Sequence, residues 1–267
     1  MEKVAIRRWK AGRENAEWDV VAEEAPLEIR VSASFKAQRF IRTLAVTMRT
    51  PGHDEDLVAG LLYSEALIKS QDDITLLTRN SDGAMVADLA PWADVDWTDF
   101  DRSLPLLSSS CGVCGKRELP KLGSGFEEVS TKRVRARVIT GLVDQLESLQ
   151  EGFSETGGLH AAALFDWEGK MKRFREDVGR HNALDKLIGS MLKEGAVPLV
   201  DSILLMTSRA SYDILQKAIL AGIGVVATMG APSTAAVELA QQREITLIGF
   251  LRDERFNVYT GSWRVVS

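Results

Sequence analysis

Both cysteines of this 267-residue chain stand in one stretch, Ser108-Ser109-Ser110-Cys111-Gly112-Val113-Cys114-Gly115-Lys116-Arg117, which confines all thiol chemistry to that place. Gly112 and Gly115 allow backbone conformations closed to other residues. The hydroxyls before the pair and the cations after it favour thiolate over thiol, and the thiolate is the reactive species. Four chemistries compete for such a pair. A structural disulfide is weakly supported, because a chain of this length can bury a core without a staple and its start does not read as a secretory signal. A structural zinc site normally takes four ligands; there is no second Cys pair, and the imidazole donors are only His53, His160 and His181. Thioredoxin-like redox chemistry sets its Cys pair inside a βαβ unit, whereas Gly112, Gly115 and Pro120 point to a loop. The fourth chemistry is carriage of a sulfur atom as a persulfide on one thiol, with the other beside it. The residues favour sulfur or redox chemistry over metal binding or an inert pair, and no metal site is expected.

Three other turns could hold an anion: Glu176-Asp177-Val178-Gly179-Arg180-His181-Asn182, Thr207-Ser208-Arg209-Ala210-Ser211 and Met229-Gly230-Ala231-Pro232-Ser233-Thr234. Each presents small or polar residues at the start of a helical pattern, where unpaired N–H groups and the helix dipole attract negative charge. Arg180 and Arg209 add forked donors suited to phosphate. Ordinary capping accounts for any one such turn; three turns with two arginines favour a phosphate-bearing ligand. No Walker A sequence and no Gly-x-Gly-x-x-Gly fingerprint occur, which disfavours a P-loop nucleotidase or a nicotinamide enzyme.

The elements that must position these residues fall into two groups. Leu27 to Ser32 and Phe40 to Met48 read as strands, and Pro51-Gly52 ends the second. Asp54 can cap a helix to about Ile68, with Leu57, Val58, Leu61 and Leu62 as its apolar stripe. Residues 91 to 132 contain three of the seven prolines and the Cys pair, so a boundary or linker is expected there. A helix from about Val138 to Leu149 follows. Beyond it, apolar runs at Leu159 to Phe165, Ile203 to Thr207, Gly224 to Thr228 and Thr246 to Phe250 alternate with helical patterns at 180–193, 211–221 and 233–242. That alternation implies a covered sheet with substantial parallel pairing, whose ligands bind beyond the carboxyl ends of its strands. Composition is that of a soluble globular protein, 45% hydrophobic and 27% charged. A net charge of -5 argues against nucleic-acid binding, no apolar run is long enough to span a membrane, and scarce cysteine fits the reducing cytoplasm.

Thr156-Gly157-Gly158-Leu159-His160-Ala161-Ala162-Ala163-Leu164, the block Glu176 to Lys186, and Ser110-Cys111-Gly112-Val113-Cys114-Gly115 resemble, in the same order, the signatures of the FdhD family of formate dehydrogenase accessory proteins. Met48-Arg49-Thr50-Pro51-Gly52, Gly60-Leu61-Leu62-Tyr63-Ser64-Glu65, Gly249-Phe250-Leu251-Arg252 and Asn257-Val258-Tyr259-Thr260 extend the resemblance over most of the chain. The resemblance implies an α/β fold with a cytidine-deaminase-like C-terminal domain, residues 131–267, after a smaller α+β N-terminal domain, residues 1–130, ending in the C-x-x-C loop. It also implies a cytoplasmic sulfurtransferase, usually a homodimer, that acts partly as a chaperone. Such a protein takes sulfur from a cysteine desulfurase as a persulfide. It then passes the sulfur to the bis-molybdopterin guanine dinucleotide molybdenum cofactor for formate dehydrogenase maturation.

By that resemblance Cys111 is the persulfide position, with Cys114 assisting, and Phe250, Leu251, Arg252, Asp253, Glu254 and Arg255 form the cofactor segment. Arg252 and Arg255 would neutralise pyrophosphate, while Asp253 or Glu254 would accept the paired N–H donors of a guanine edge. Asp177, Arg180, His181 and Arg209 are expected to complete the ligand pocket. Thr207-Ser208-Arg209 departs from the Ser-Gly-Arg turn of many relatives. Zinc deaminases need His-x-Glu followed later by Pro-Cys-x-x-Cys. Here His160-Ala161-Ala162 lacks the glutamate and the Cys pair precedes it, so His160 reads as a core or pocket histidine and His53 as a turn residue.

Overall fold

The computed structural model describes residues 1–35, 38–93, 107–108 and 131–267. Cys111 and Cys114 lie outside the described residues. The chain opens with an antiparallel hairpin, β1 (Glu2–Lys10) with β2 (Arg13–Val21). Next come β3 (Ala25–Phe35), β4 (Gln38–Arg49), α1 (Asp54–Ser64), β5 (Ile74–Arg79), β6 (Met85–Leu89) and β7 (Leu107–Ser108). Strands β3 to β7 form a five-stranded mixed sheet in the order β5-β6-β3-β4-β7.

The second half contains β8 (Val134–Arg135), α2 (Ala136–Thr140), α3 (Leu142–Glu147), α4 (Glu151–Thr156), β9 (His160–Phe165), β10 (Met171–Asp177), α5 (Arg180–Leu192), β11 (Ile203–Met206), α6 (Tyr212–Leu220), β12 (Val225–Thr228), α7 (Thr234–Gln242), β13 (Thr246–Arg252), β14 (Arg255–Thr260) and β15 (Val265–Val266). Its main sheet has the order β10-β9-β11-β12-β13-β14. The three central strands β11, β12 and β13 are parallel, while β9, β10 and β14 pair antiparallel at the flanks. Strand β15 pairs in parallel with β8, tying the last residues to the start of this half.

Alternation along the strands makes the two faces. Ala162, Leu164, Leu204 and Met206 face α1, α5, α6 and α7, whereas Ala161, Ala163, Phe165, Ile203 and Leu205 face α2 and α3. The first of these cores also holds Leu27, Ile29, Val31, Leu44 and Met85 of the five-stranded sheet. Helices α1 and α5 are therefore sandwiched between the two sheets, and one continuous core crosses the boundary expected near residue 130. Along α5, Leu184, Leu187 and Ile188 are fully buried, each contributing about 1.5–3 kcal/mol. The two helices meet at glycine: a Cβ at Gly60 would collide with the carbonyl of Asp185, and one at Gly189 with that of Asp56.

Several local expectations change. Asp54 is the first residue of α1, not its cap; His53 caps it in the left-handed region (φ 54°) without a side-chain bond. The Asp54 carboxylate instead pairs with Arg49 and Arg79. Helix α1 stops at Ser64, where Ala66 takes φ 58°. The helix expected over 138–149 is two short helices joined at Gly141. Strand β10 was not read from the sequence, because Arg173, Arg175 and Glu176 hide its pattern.

Candidate functional site

Because β11, β12 and β13 run parallel, their carboxyl ends share one edge of the sheet, joined there by the start of β9 and the end of β10, where Asp177 lies opposite His160. Backbone bonds stitch the turns along this edge together. Thr207 N donates to Ala161 O (3.1 Å), Met229 N to Met206 O (3.0 Å), Gly230 N to Ser208 O (3.2 Å) and Ala210 N to Ala231 O (3.2 Å). Ser233 N donates to Ala210 O (2.9 Å) and Phe250 N to Gly230 O (3.2 Å). Gly230 is required by this close approach, since a Cβ would come within 3.0 Å of the backbone of Arg209. The three turns and the start of the Phe250–Arg255 segment thus form one continuous surface, built from positions far apart in the chain.

Asp177 has a structural part in it. Its carboxylate, fully buried, receives the Lys186 ammonium at 2.6 Å, Thr50 N at 3.1 Å, Gly179 N at 2.9 Å and Asn182 Nδ2 at 3.2 Å. Lys186 also donates to Thr50 O (2.8 Å) and Asn182 to Met48 O (2.8 Å), while Thr50 Oγ1 accepts from Val178 N (3.0 Å). The Glu176–Lys186 block and the Met48–Gly52 block are therefore one clamp that fixes the end of β4 against the start of α5. With its oxygens facing these protein donors, Asp177 positions the turn and leaves Arg180 to face outward, half-buried.

Arg180, Arg209, Arg252 and Arg255 lie along this edge, and none makes an ion pair among the described residues. Arg252 and Arg255 are directly opposite each other across a two-residue turn of Asp253 and Glu254, all four exposed. Like charges so paired repel unless an anion sits between or beside them. The register shifts between Gly249 and Arg252, and Phe250 (φ 54°) and Asp253 (φ 48°) take left-handed backbone values uncommon outside glycine. The shift turns the Phe250 ring outward, 43% exposed, and seats Leu251 in the core. At the edge Leu251 offers backbone alone.

His181 is buried beside α6, its Nε2 3.7 Å from Asp213 Oδ2. Burial pushes the Asp213 carboxyl up, but His181, Lys217 and Arg180 outweigh it and hold it below the usual carboxylate range. His160 is half-buried with Nδ1 3.4 Å from Thr207 Oγ1; burial, with Arg180 and His181, holds its imidazole below the usual range. Asp213 was missed by sequence reasoning. The signal available was an acid and a base four apart, Asp213 and Lys217, in an otherwise uncharged helix.

A concavity of about 390 Å³ opens elsewhere, at the start of α1 beside His53, Asp54, Asp56 and Lys193. Its charges are already matched: Asp54 by Arg49 and Arg79, Asp56 by Arg175 and Lys193. The arginine edge, whose cations are not matched in this way among the described residues, is the stronger candidate for an anion site.

The sequence pattern of the FdhD/NarQ family matches residues 22–266. The chain belongs to the FdhD/NarQ family. A "Sulfur carrier protein FdhD" of Sulfurisphaera tokodaii is 40% identical over 266 residues, covering 100% of this chain and 99% of the relative. That of Streptomyces avermitilis is 38% identical over 277 residues, covering 99% and 95%. That of Mycobacterium tuberculosis is 40% identical over 265 residues, covering 92% of each. The fold is shared with a crystal structure described as that of a formate dehydrogenase accessory protein from Desulfotalea psychrophila, with TM-score 0.75, 21% identity and 99% of both chains covered. Among the described residues no helix is long and apolar enough to cross a membrane.

Proposed function

We propose that this FdhD/NarQ family member is a sulfurtransferase that carries sulfur on Cys111 to a guanine-dinucleotide molybdenum cofactor held at the carboxyl edge, for maturation of formate dehydrogenase. The sulfur donor is a cysteine desulfurase. The Cys111 thiolate attacks the outer sulfur of the donor's persulfide, the donor's S–S bond breaks, and the donor cysteine leaves as thiolate, so Cys111 holds the sulfur as a persulfide. Cys114 stands by for thiol exchange. The acceptor, bis-molybdopterin guanine dinucleotide with its molybdenum, is cargo for the protein.

One observation supports the acceptor half above the rest: four arginines without ion pairs among the described residues, on turns that converge at the carboxyl ends of parallel strands. That is where α/β sheets bind ligands, and forked guanidinium donors match pyrophosphate oxygens. In this reading Arg252, Arg255, Arg209 and Arg180 take the phosphates. Asp253 or Glu254 takes the N–H donors of guanine, and Phe250 offers a ring face beside them. The sulfur half is supported by the relatives, whose name is sulfur carrier. The antiparallel hairpin β9–β10 leading into helix-connected parallel strands is compatible with a cytidine-deaminase-like arrangement of residues 131–267, without deaminase chemistry. A cytoplasmic homodimer completes the proposal.

The test is direct. Incubation with a cysteine desulfurase and free cysteine should add one reductant-sensitive sulfur, detected by mass spectrometry and mapped to Cys111, and Cys111→Ser should abolish client maturation. Full maturation by the Cys111→Ser variant would reduce the protein to a cofactor chaperone, and a persulfide confined to Cys114 would exchange the roles of the two thiols.

A further inference from the structure

The β13–β14 hairpin departs from a regular ladder at two places. One, between Gly249 and Arg252, turns Phe250 outward. The other is at Tyr259. Leu247 lies opposite Thr260 and Ile248 opposite Val258, so Tyr259 is an extra residue with no counterpart on β13. A bulge of this kind re-aims one side chain and recurs beside active sites. Thr260 fixes it in place: its Oγ1 accepts from Leu247 N (3.2 Å) and donates to Ile245 O (2.7 Å), standing in for ladder bonds that the bulge disturbs.

The re-aimed ring reaches the carboxyl edge. Where a Cβ on Gly249 would stand, Tyr259 Cε2 and Pro232 Cδ are each 3.0 Å away and Gly230 O is 3.2 Å away. The Tyr259 ring and Pro232 thus take the space that a side chain at Gly249 would need. Gly230 in turn abuts the backbone of Arg209, and Gly249 leads through Phe250 and Leu251 to Arg252. The ring therefore neighbours both the turn that carries Arg209 and the strand end that carries Arg252. It is seated against Gly249 and Pro232, yet the residue is 38% exposed. A flat ligand stacking on a ring already held by its neighbours costs little further ordering.

We propose that Tyr259 is the principal stacking platform for a nucleobase at this edge, setting affinity for the base plane while the arginines set affinity for phosphate. The inference rests on the reading of the edge as the guanine-dinucleotide site and adds a residue to it. Every base has a π-face, so stacking tolerates any base; the preference for guanine over adenine stays with Asp253 or Glu254. Phe250, on left-handed backbone at the start of the turn, is the secondary ring.

Calorimetric titration of the full chain with guanosine diphosphate, adenosine diphosphate and inorganic pyrophosphate separates base from phosphate. Tyr259→Leu should weaken both nucleotides by about five- to a hundredfold and leave pyrophosphate within about twofold, whereas Tyr259→Phe, which keeps the ring, should stay within about twofold for all three. The chain has three tyrosines, so with ring-labelled tyrosine the wild-type NMR signals that vanish in Tyr259→Phe identify this residue. They should move upfield on adding guanosine diphosphate and stay in place with pyrophosphate, a readout that does not depend on the Leu variant folding. Unmoved signals, unchanged nucleotide affinity in Tyr259→Leu, or equal weakening of all three ligands overturns the proposal; the last result would make Tyr259 scaffold. Loss of nucleotide binding in Phe250→Leu alone overturns it in favour of Phe250. In each of these cases the edge remains a nucleotide site so long as the wild type binds guanosine diphosphate and Arg252→Ala/Arg255→Ala does not. A wild type that binds neither nucleotide nor pyrophosphate overturns this inference and the acceptor half of the proposed function together.

Discussion

Replacing Lys186 with Met removes the cation from the buried pair that clamps β4 to α5, at nearly constant side-chain length. In the native protein the Lys186 ammonium, 1% exposed, sits 2.6 Å from the fully buried Asp177 carboxylate and also donates to Thr50 O at 2.8 Å. The variant leaves a buried carboxylate with Thr50 N, Gly179 N and Asn182 Nδ2 as its remaining donors and no neutralising charge. Breaking a buried pair from one side costs about 3–5 kcal/mol, because the orphaned charge keeps its desolvation penalty. For a chain of this size that is a fall in melting temperature of about 6–20 °C. Adding Asp177→Asn removes the orphaned charge, so the double variant should recover about 1–3 kcal/mol relative to Lys186→Met alone. Urea unfolding followed by tryptophan fluorescence, with a matching thermal scan, measures all three. A loss below about 1 kcal/mol for Lys186→Met, or a double variant no more stable than that single one, would show that the pair is not the clamp the geometry describes.

Three further outcomes are expected. Gly189→Ala should destabilise by about 3 kcal/mol or more, read by urea unfolding, because its methyl would strike the Asp56 carbonyl and force α1 from α5. Tyr63 donates to Leu220 O (3.0 Å), and burial pushes its phenol from 10.0 up to about 12. Its contribution is therefore intact below pH 10 and lost as pH rises through 12, so thermal melts of Tyr63→Phe should fall less steeply than wild type across that window. The paired substitution Arg252→Ala/Arg255→Ala should weaken binding of a guanine nucleotide, a surrogate for the cofactor, by about tenfold or more. Its melting temperature should stay within about 2 °C of wild type, since both side chains are exposed and without ion pairs among the described residues; unchanged affinity would make the turn scaffold.

How much of this was legible in the residues differs from element to element. Helices α5, α6 and α7 and strands β9, β11, β12 and β13 fall within a residue or two of the boundaries expected, because their apolar residues repeat within the element itself. Strand β10 carries no such signal. Arg175 is matched by Asp56, 119 positions away, and Arg173 by Glu194, so its polar residues became tolerable only after folding. The β1–β2 hairpin likewise lacks an apolar face; its side chains are mostly exposed and its charges pair across the strands, Arg7 with Glu14 and Arg8 with Glu17 and Asp19.

The sequence by itself determined where the thiols stand, the α/β alternation of the second half, the turns that are candidates for an anion site and, through its motifs, the family. Those are properties of residue type and local spacing. Only the tertiary structure decided which motif residues face the site and which support it. Asp177 and Arg180 are three apart in one turn, yet the first meets Lys186 and the end of β4 while the second stays free of ion pairs among the described residues. Phe250 and Leu251 are neighbours, yet a register shift turns one outward and buries the other. Periodicity says which side chains share a face; what covers that face depends on chain that arrives from more than a hundred residues away, and burial, charge matching and role follow from that arrival.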